Sequence, residues 1–209
     1  MANACRRAGR QPEEVRLIGV TKKVSTEKIE AAVACGLRDF GENYIQEARR
    51  KIEEITGDIS WHMIGHIQAN KVKYIPRLFR CVHSVDRWDI VEGLERYGRQ
   101  IDMLFEVNVA GEDSRHGTGV DDLRRMLEKT KTLEHARTVG LMTMAPFADD
   151  PEETRWVFAR LREILKEMNN EFGLTMRELS MGMSSDFEVA IEEGATMVRI
   201  GTAIFGERL

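Results

Sequence analysis

Three short segments hold residues whose types and spacing suit chemistry. Two lysines stand in tandem, Lys22-Lys23, directly after the apolar run Leu17-Ile-Gly-Val-Thr21. Far along the chain come Ser180-Met-Gly-Met-Ser184-Ser185 and Arg199-Ile-Gly201-Thr202. A lysine ammonium that loses part of its water titrates below its free value of about 10.4 and can form a Schiff base with a carbonyl. Glycine- and serine-containing turns that open helices present backbone N–H groups to an anion, commonly a phosphate. A reactive lysine beside a phosphate cradle suits pyridoxal phosphate chemistry or a phosphosugar aldolase. Plainer alternatives stay open here. The glycines also suit tight turns alone, and a lysine pair also suits a solvated helix start. Gly201 and Gly206 lack a following Lys-Ser or Lys-Thr, so they do not form a nucleotide P-loop.

These segments gain meaning from the elements around them. Short apolar runs alternate with longer amphipathic stretches along the whole chain. The runs are Leu17–Thr21, Arg38–Glu42, Trp61–Ile64, Cys81–Val85, Met103–Val109, Val139–Met142, Leu179–Gly182 and Met197–Ile200. Each reads as a buried strand, with an amphipathic helix in the gap that follows. Ser25 and Asp86 are read as helix caps, Gly36 and Pro76 as stops, Pro151 as a first-turn opener, and Ser185/Asp186 as the cap of the last full helix. Strand–helix alternation implies a parallel sheet, and eight units imply a closed (β/α)8 barrel in a single domain over residues 1–209. A doubly wound open sheet is the competing fold, but no G-x-G-x-x-G follows the first strand. In a barrel the loops after the strands carry the site, which brings Lys22, Asn43, Ser184, Ser185, Arg199, Gly201 and Thr202 to one end. Strand alternation does not choose between Lys22 and Lys23, because both faces of a barrel strand are buried.

Composition narrows the function class. The 209 residues are 42% hydrophobic and 32% charged, enough apolar material for a packed core. A net charge of −4 argues against a broad nucleic-acid-binding face. No apolar run reaches the about 20 residues that span a bilayer, and the N-terminal stretch has no apolar core of a signal peptide. Cys5, Cys35 and Cys81 are odd in number and widely spaced, as in reduced thiols of a cytoplasmic protein. His62 and His66 straddle Gly65 on a strand, so no metal site is expected from them. His116, in the Ser114–Gly117 loop, reads as a loop polar group near the barrel mouth. Met142, Met144, Met181 and Met183 read as core filling.

Longer motifs then carry a resemblance. Phe40-Gly-Glu-Asn-Tyr44, Trp61-His-Met-Ile-Gly65-His-Ile-Gln68, Val82-His-Ser-Val-Asp86, Ser180-Met-Gly-Met-Ser184 and Met197-Val-Arg-Ile-Gly201-Thr-Ala-Ile-Phe-Gly206 resemble the YggS/PROSC-type pyridoxal phosphate homeostasis family from about Gly9 onward. The resemblance implies a fold-type III barrel like the N-terminal domain of alanine racemase, without the racemases' C-terminal β domain. It implies pyridoxal 5'-phosphate (PLP) joined as a Schiff base to Lys22. Lys23 is a departure, because the family often has Thr there. Arg199 matches the arginine facing the pyridine nitrogen. Gly201 and Thr202 match phosphate-binding amides, Ser184 and Ser185 add hydroxyls, and Asn43 lies near the cofactor. Family members also carry a longer first helix, so added exposed apolar surface is expected where Ala2–Ala8 stand alone.

A cation beside the ring nitrogen weakens the electron sink of PLP chemistry. Racemases of this fold work with a second base, a tyrosine from another domain and subunit. The tyrosines here are Tyr44, Tyr74 and Tyr97, and Tyr44 is read mainly as packing. The family is known as a PLP carrier and regulator of amino-acid pools. The expectation is a monomeric carrier that hands cofactor to apo PLP-dependent enzymes. A single-domain amino-acid racemase is the alternative, and a Schiff-base aldolase the third reading.

Overall fold

The computed structural model describes residues 1–112 and 116–206. Eight parallel strands close into a barrel in sequence order. They are β1 (Arg16–Val20), β2 (Asp39–Glu42), β3 (Ser60–Met63), β4 (Cys81–Val85), β5 (Ile101–Glu106), β6 (Ala136–Met142), β7 (Glu178–Ser180) and β8 (Met197–Ile200). The open-sheet alternative fails because β8 pairs with β1, with Arg199 opposite Ile18. The helices are α1 (Ala2–Arg7), α2 (Thr26–Ala34), α3 (Ile45–Glu54), α4 (Ile75–Leu78), α5 (Trp88–Arg96), α6 (Val120–Lys129), α7 (Arg155–Phe172), α8 (Phe187–Glu192) and α9 (Thr202–Phe205).

The main core lies between the strands' outer faces and these helices. The longest helix, α7, buries Val157, Phe158, Leu161, Ile164, Leu165 and Met168. Their three-and-four spacing forms one apolar stripe, and each buried side chain contributes about 1.5–3 kcal/mol. Gly173 ends this helix in the left-handed conformation, φ 66°. A smaller inner cluster of Cys81, Leu104 and Met142 fills the barrel, with Met144 packed against it.

Several local expectations need correction. Pro76 does not stop a helix; it lies in the first turn of α4, where its missing N–H costs nothing. Asp86 does not cap α5, because its carboxylate is taken by Arg87 at 2.8 Å and His66 at 3.4 Å, and Arg87 stands at the cap position. Ser25 stands at the cap of α2 without bonding its N–H groups, and its hydroxyl serves Glu27 instead. Pro151 opens a 3-10 turn that leads into α7, with Asp150 accepting from the Glu152 N–H.

The seam beside β8 is closed by short pieces. Helix α1 buries Ala4 and Cys5, and Arg7 donates to Glu188 and Glu192 at 2.6 and 2.7 Å. Arg10 donates to the carbonyls of Ile191 and Ala195. Between α2 and α9 a groove of about 790 Å3 remains, lined by Leu17, Ala31, Ala32, Leu37, Ile204 and Phe205 among others. No described helix is long and apolar enough to cross a membrane.

Candidate functional site

Neighbouring strands share their inward positions through the ladder. Arg199 pairs with Ile18, Ile18 with Asp39, Gly41 with His62, and His62 with Cys81. A Cβ on Gly41 would meet Ile18 and Ile64 at 3.0 and 2.8 Å, so these positions face one another inside the barrel. The β1 ladder continues past Val20, because the Thr21 N–H donates to Gly41 O at 3.0 Å. Lys22 then follows in a turn closed by the Val24 N–H on Thr21 O at 2.9 Å, and it is partly exposed. Lys23 is exposed and adopts a left-handed backbone, φ 59°.

The turn that carries both lysines is pinned by a buried ion cluster. Lys51 of α3 is buried, and its Nζ donates to Thr21 O, Glu42 Oε1 and Glu47 Oε1 at 2.6, 2.7 and 2.7 Å. Thr21 Oγ1 donates to Glu42 Oε1, and the Lys23 N–H donates to Glu47 Oε1 at 2.6 Å. Burial pushes the Glu42 carboxyl up, while Lys51 and Thr21 pull it down. Lys51 satisfies three acceptors at once, which is how a buried ammonium becomes tolerable.

Asn43 follows β2 into the mouth. Its Oδ1 is buried and has no hydrogen-bond partner, as does Oε2 of Glu42. Gly65 lets the next loop approach, because a Cβ there would lie 2.5 Å from Asn43 O. A pocket of about 450 Å3 opens at the mouth beside Asn43, Tyr44, His66, Glu106, His116 and Met144. Tyr44 is 56% exposed here, so the packing role expected for it is wrong.

Arg199 is buried, and its Nη1 donates to Ser180 Oγ at 2.6 Å and its Nη2 to Thr143 O at 2.9 Å. Burial lowers its pKa to about 10, opposed by the carboxyls of Glu106 and Asp186, so it stays cationic at neutral pH. The loop after β7 turns on Gly182, φ 92°, and the Met183 N–H donates to Asp186 at 2.6 Å. This turn brings partly exposed Ser184 and exposed Ser185 to the start of α8. Gly201 and Thr202 open α9, whose first N–H groups have no acceptor within the helix.

Sequence reading missed two sets of groups. Glu106 ends β5 and is 3% exposed, and burial pushes its pKa up to about 7 against the pull of Arg199. The signal was present: an acid inside the apolar run Met103-Leu-Phe-Glu-Val107. The histidines form the second set. His62 and His83 are wholly buried and bond each other at 3.0 Å, with Cys81 close by. Burial pushes the Cys81 thiol far up, and His62 spends both ring nitrogens on His83 and Asp39, so this trio is not arranged as a metal centre. His66 does not converge with His62, as expected. It stacks on His116 with ring centres 4.1 Å apart and planes 16° apart, beside Asp86. Two stacked imidazoles cannot both aim lone pairs at one ion without turning. Ser114 lies outside the described residues.

The alanine racemase N-terminal domain family matches residues 2–209. A pyridoxal phosphate homeostasis protein of Aquifex aeolicus is 43% identical over 98% of this chain and 92% of its own length. One of Escherichia coli K12 is 36% identical over 98% and 91%. The solved structure of PipY from Synechococcus elongatus with PLP bound is 36% identical, with a TM-score of 0.88 over 98% of this chain and 99% of that one. Alanine racemase of Corynebacterium glutamicum, at 18% identity and a TM-score of 0.75 over 58% of its own chain, shares the fold. With the family match over residues 2–209 and full-length likeness to these relatives, the chain belongs to the pyridoxal phosphate homeostasis protein family, built on the alanine racemase N-terminal domain.

Proposed function

We propose that this chain binds PLP at the barrel mouth and buffers it within the cell, taking up cofactor and handing it to apo PLP-dependent enzymes. Lys22 holds the cofactor as a Schiff base, and Arg199 stands at the ring nitrogen. The amides of Gly201 and Thr202 and the hydroxyls of Ser184 and Ser185 hold the phosphate. Asn43 borders the ring. The observation that carries this reading is the buried, partnerless Asn43 Oδ1 at a mouth that also holds a buried guanidinium. An unpaired buried acceptor costs about 1–3 kcal/mol and is relieved by a donor on a guest. When bound, PLP supplies an aldehyde for the lysine and an electron-withdrawing ring. A cationic Arg199 resists protonation of that ring, so the residues favour storage over turnover.

The monomeric state and cytoplasmic location belong to the same reading. Its test is stoichiometric transfer from loaded protein to an apo PLP enzyme. Recipient activation faster than spontaneous cofactor release supports delivery; activation at the spontaneous rate refutes it. Glu106 favours a second reading, a single-domain racemase, because a carboxyl titrating near 7 at the mouth can move a proton. Exchange of an amino acid's α-proton with deuterated solvent at a catalytic rate, lost in Glu106→Gln, identifies that activity.

A further inference from the structure

One hydrogen-bonded path crosses the barrel interior. Asp39 Oδ1 lies 2.9 Å from His62 Nε2, and His62 Nδ1 lies 3.0 Å from His83 Nε2. His83 Nδ1 lies 2.8 Å from Ser180 Oγ, which accepts from Arg199 Nη1 at 2.6 Å. The path joins β2, β3, β4, β7 and β8. His62, His83 and Ser180 are 0% exposed, so the inner links are shielded from bulk water, while Asp39 at 22% exposed meets solvent at the outer end. Asp39 sits at the start of β2 and borders the groove beside α2, at the end of the barrel opposite the mouth.

With both histidines neutral, donor counting gives the direction. An ionised Asp39 only accepts, so His62 carries its proton on Nε2. A neutral His62 then accepts at Nδ1, so His83 carries its proton on Nε2. A neutral His83 accepts at Nδ1, so the Ser180 hydroxyl donates to it. Ser180 Oγ is left as the acceptor for Arg199. Every group is satisfied in this one arrangement, and the donors all point from Arg199 toward Asp39. Burial pushes His83 well below the usual histidine range, aided by Arg199 and Arg16, which keeps it neutral. The charged and titratable groups facing the pair are Arg16 near Asp39, Cys81 beside the rings, and Arg199 beyond Ser180.

We propose that Asp39, His62, His83 and Ser180 are the positioning residues of Arg199, a one-way hydrogen-bond chain anchored by the Asp39 carboxylate at the far end of the barrel. This rests on Arg199 standing at the cofactor ring as proposed above. The chain makes an apparently remote acid part of the cofactor site. A fixed guanidinium holds the ring-nitrogen side without drifting toward Glu106 or Asp186.

Two measurements test it. The first uses apo protein labelled with 15N-histidine at pH 7. Both His62 and His83 are expected as neutral Nε2–H tautomers; an Nδ1–H tautomer or an imidazolium at either overturns the chain. The second measures PLP affinity in Ser180→Ala, Ser180→Thr and Asp39→Asn, each checked for folding by circular dichroism. Loss of a charge-assisted link of about 1.4 kcal/mol is a tenfold weaker Kd. Ser180→Ala is expected to weaken binding about tenfold, Ser180→Thr to restore it, and Asp39→Asn to weaken it while changing the His83 tautomer signals. Unchanged affinity in folded Ser180→Ala and Asp39→Asn overturns the positioning role. Wild-type protein that binds no PLP overturns the functional reading, while the tautomers still decide the chain.

Discussion

Lys51→Met isolates what pins the lysine turn. The side chain is 1% exposed and contacts Glu42, whose side chain is 0% exposed, and Glu47, which is 19% exposed. Without Lys51, Glu47 can turn toward water but Glu42 cannot. A stranded carboxylate escapes by taking a proton, and at pH 7 that costs about 3.7 kcal/mol for a group with an ordinary value near 4.3. That cost is a ceiling on the charge penalty. Losing the bond to Thr21 O adds about 1 kcal/mol, giving a total of about 3–5 kcal/mol. Adding Glu42→Gln removes the charge and should recover about 2–3 kcal/mol by the same reckoning. The pH sign follows from linkage. In Lys51→Met the folded pKa of Glu42 is raised, so the penalty is absent below the unfolded value, near pH 4, and grows as pH rises. Urea unfolding at pH 4 and pH 7, with midpoint and slope fitted separately, measures all of this. A deficit below 1 kcal/mol at pH 7, an equal deficit at both pH values, or a double variant no better than the single one refutes the reasoning.

Other outcomes follow from the same geometry. Glu106 titrates near 7 in the fold against an ordinary 4.5, so stability falls as pH rises from about 4.5 to about 7. Glu106→Gln should flatten the Tm profile across that window, gaining at most about 3 kcal/mol above it. Gly182→Ala should cost about 1–3 kcal/mol in melting experiments, because its φ is 92° and a Cβ would lie 2.6 Å from that of Ala190. A normal Tm for it would contradict the turn described. A thiol reagent should label Cys35 alone in native protein, since Cys5 and Cys81 are buried; rapid labelling of a second thiol would show an opening seam.

Much of this was readable from residue types. The apolar runs located every strand, because parallel barrel strands are buried on both faces and need no partner information. Lys22, Arg199 and the Gly201-Thr202 pair stand out because each follows or lies within such a run. What stayed hidden depends on register between distant strands. His62, His83 and Ser180 are unremarkable as isolated polar residues, and only barrel closure lines them up behind Arg199. Lys51 looked like one more polar residue on an amphipathic helix, yet it is buried because β1 and β2 bring Thr21 O and Glu42 to it. Helix starts failed where side chains found stronger partners, as when Asp86 turned to Arg87 and His66. Tyr44 was assigned to packing because aromatic rings usually are, and the loop instead leaves it at the open mouth.

The central claim is that Lys22 holds PLP at the barrel mouth. Purified protein loaded with PLP should be yellow, and borohydride reduction followed by peptide mass spectrometry should find the pyridoxyl group on Lys22. A group on Lys23 would contradict the assignment to Lys22, and protein that remains colourless and unmodified in excess PLP would contradict the cofactor site altogether.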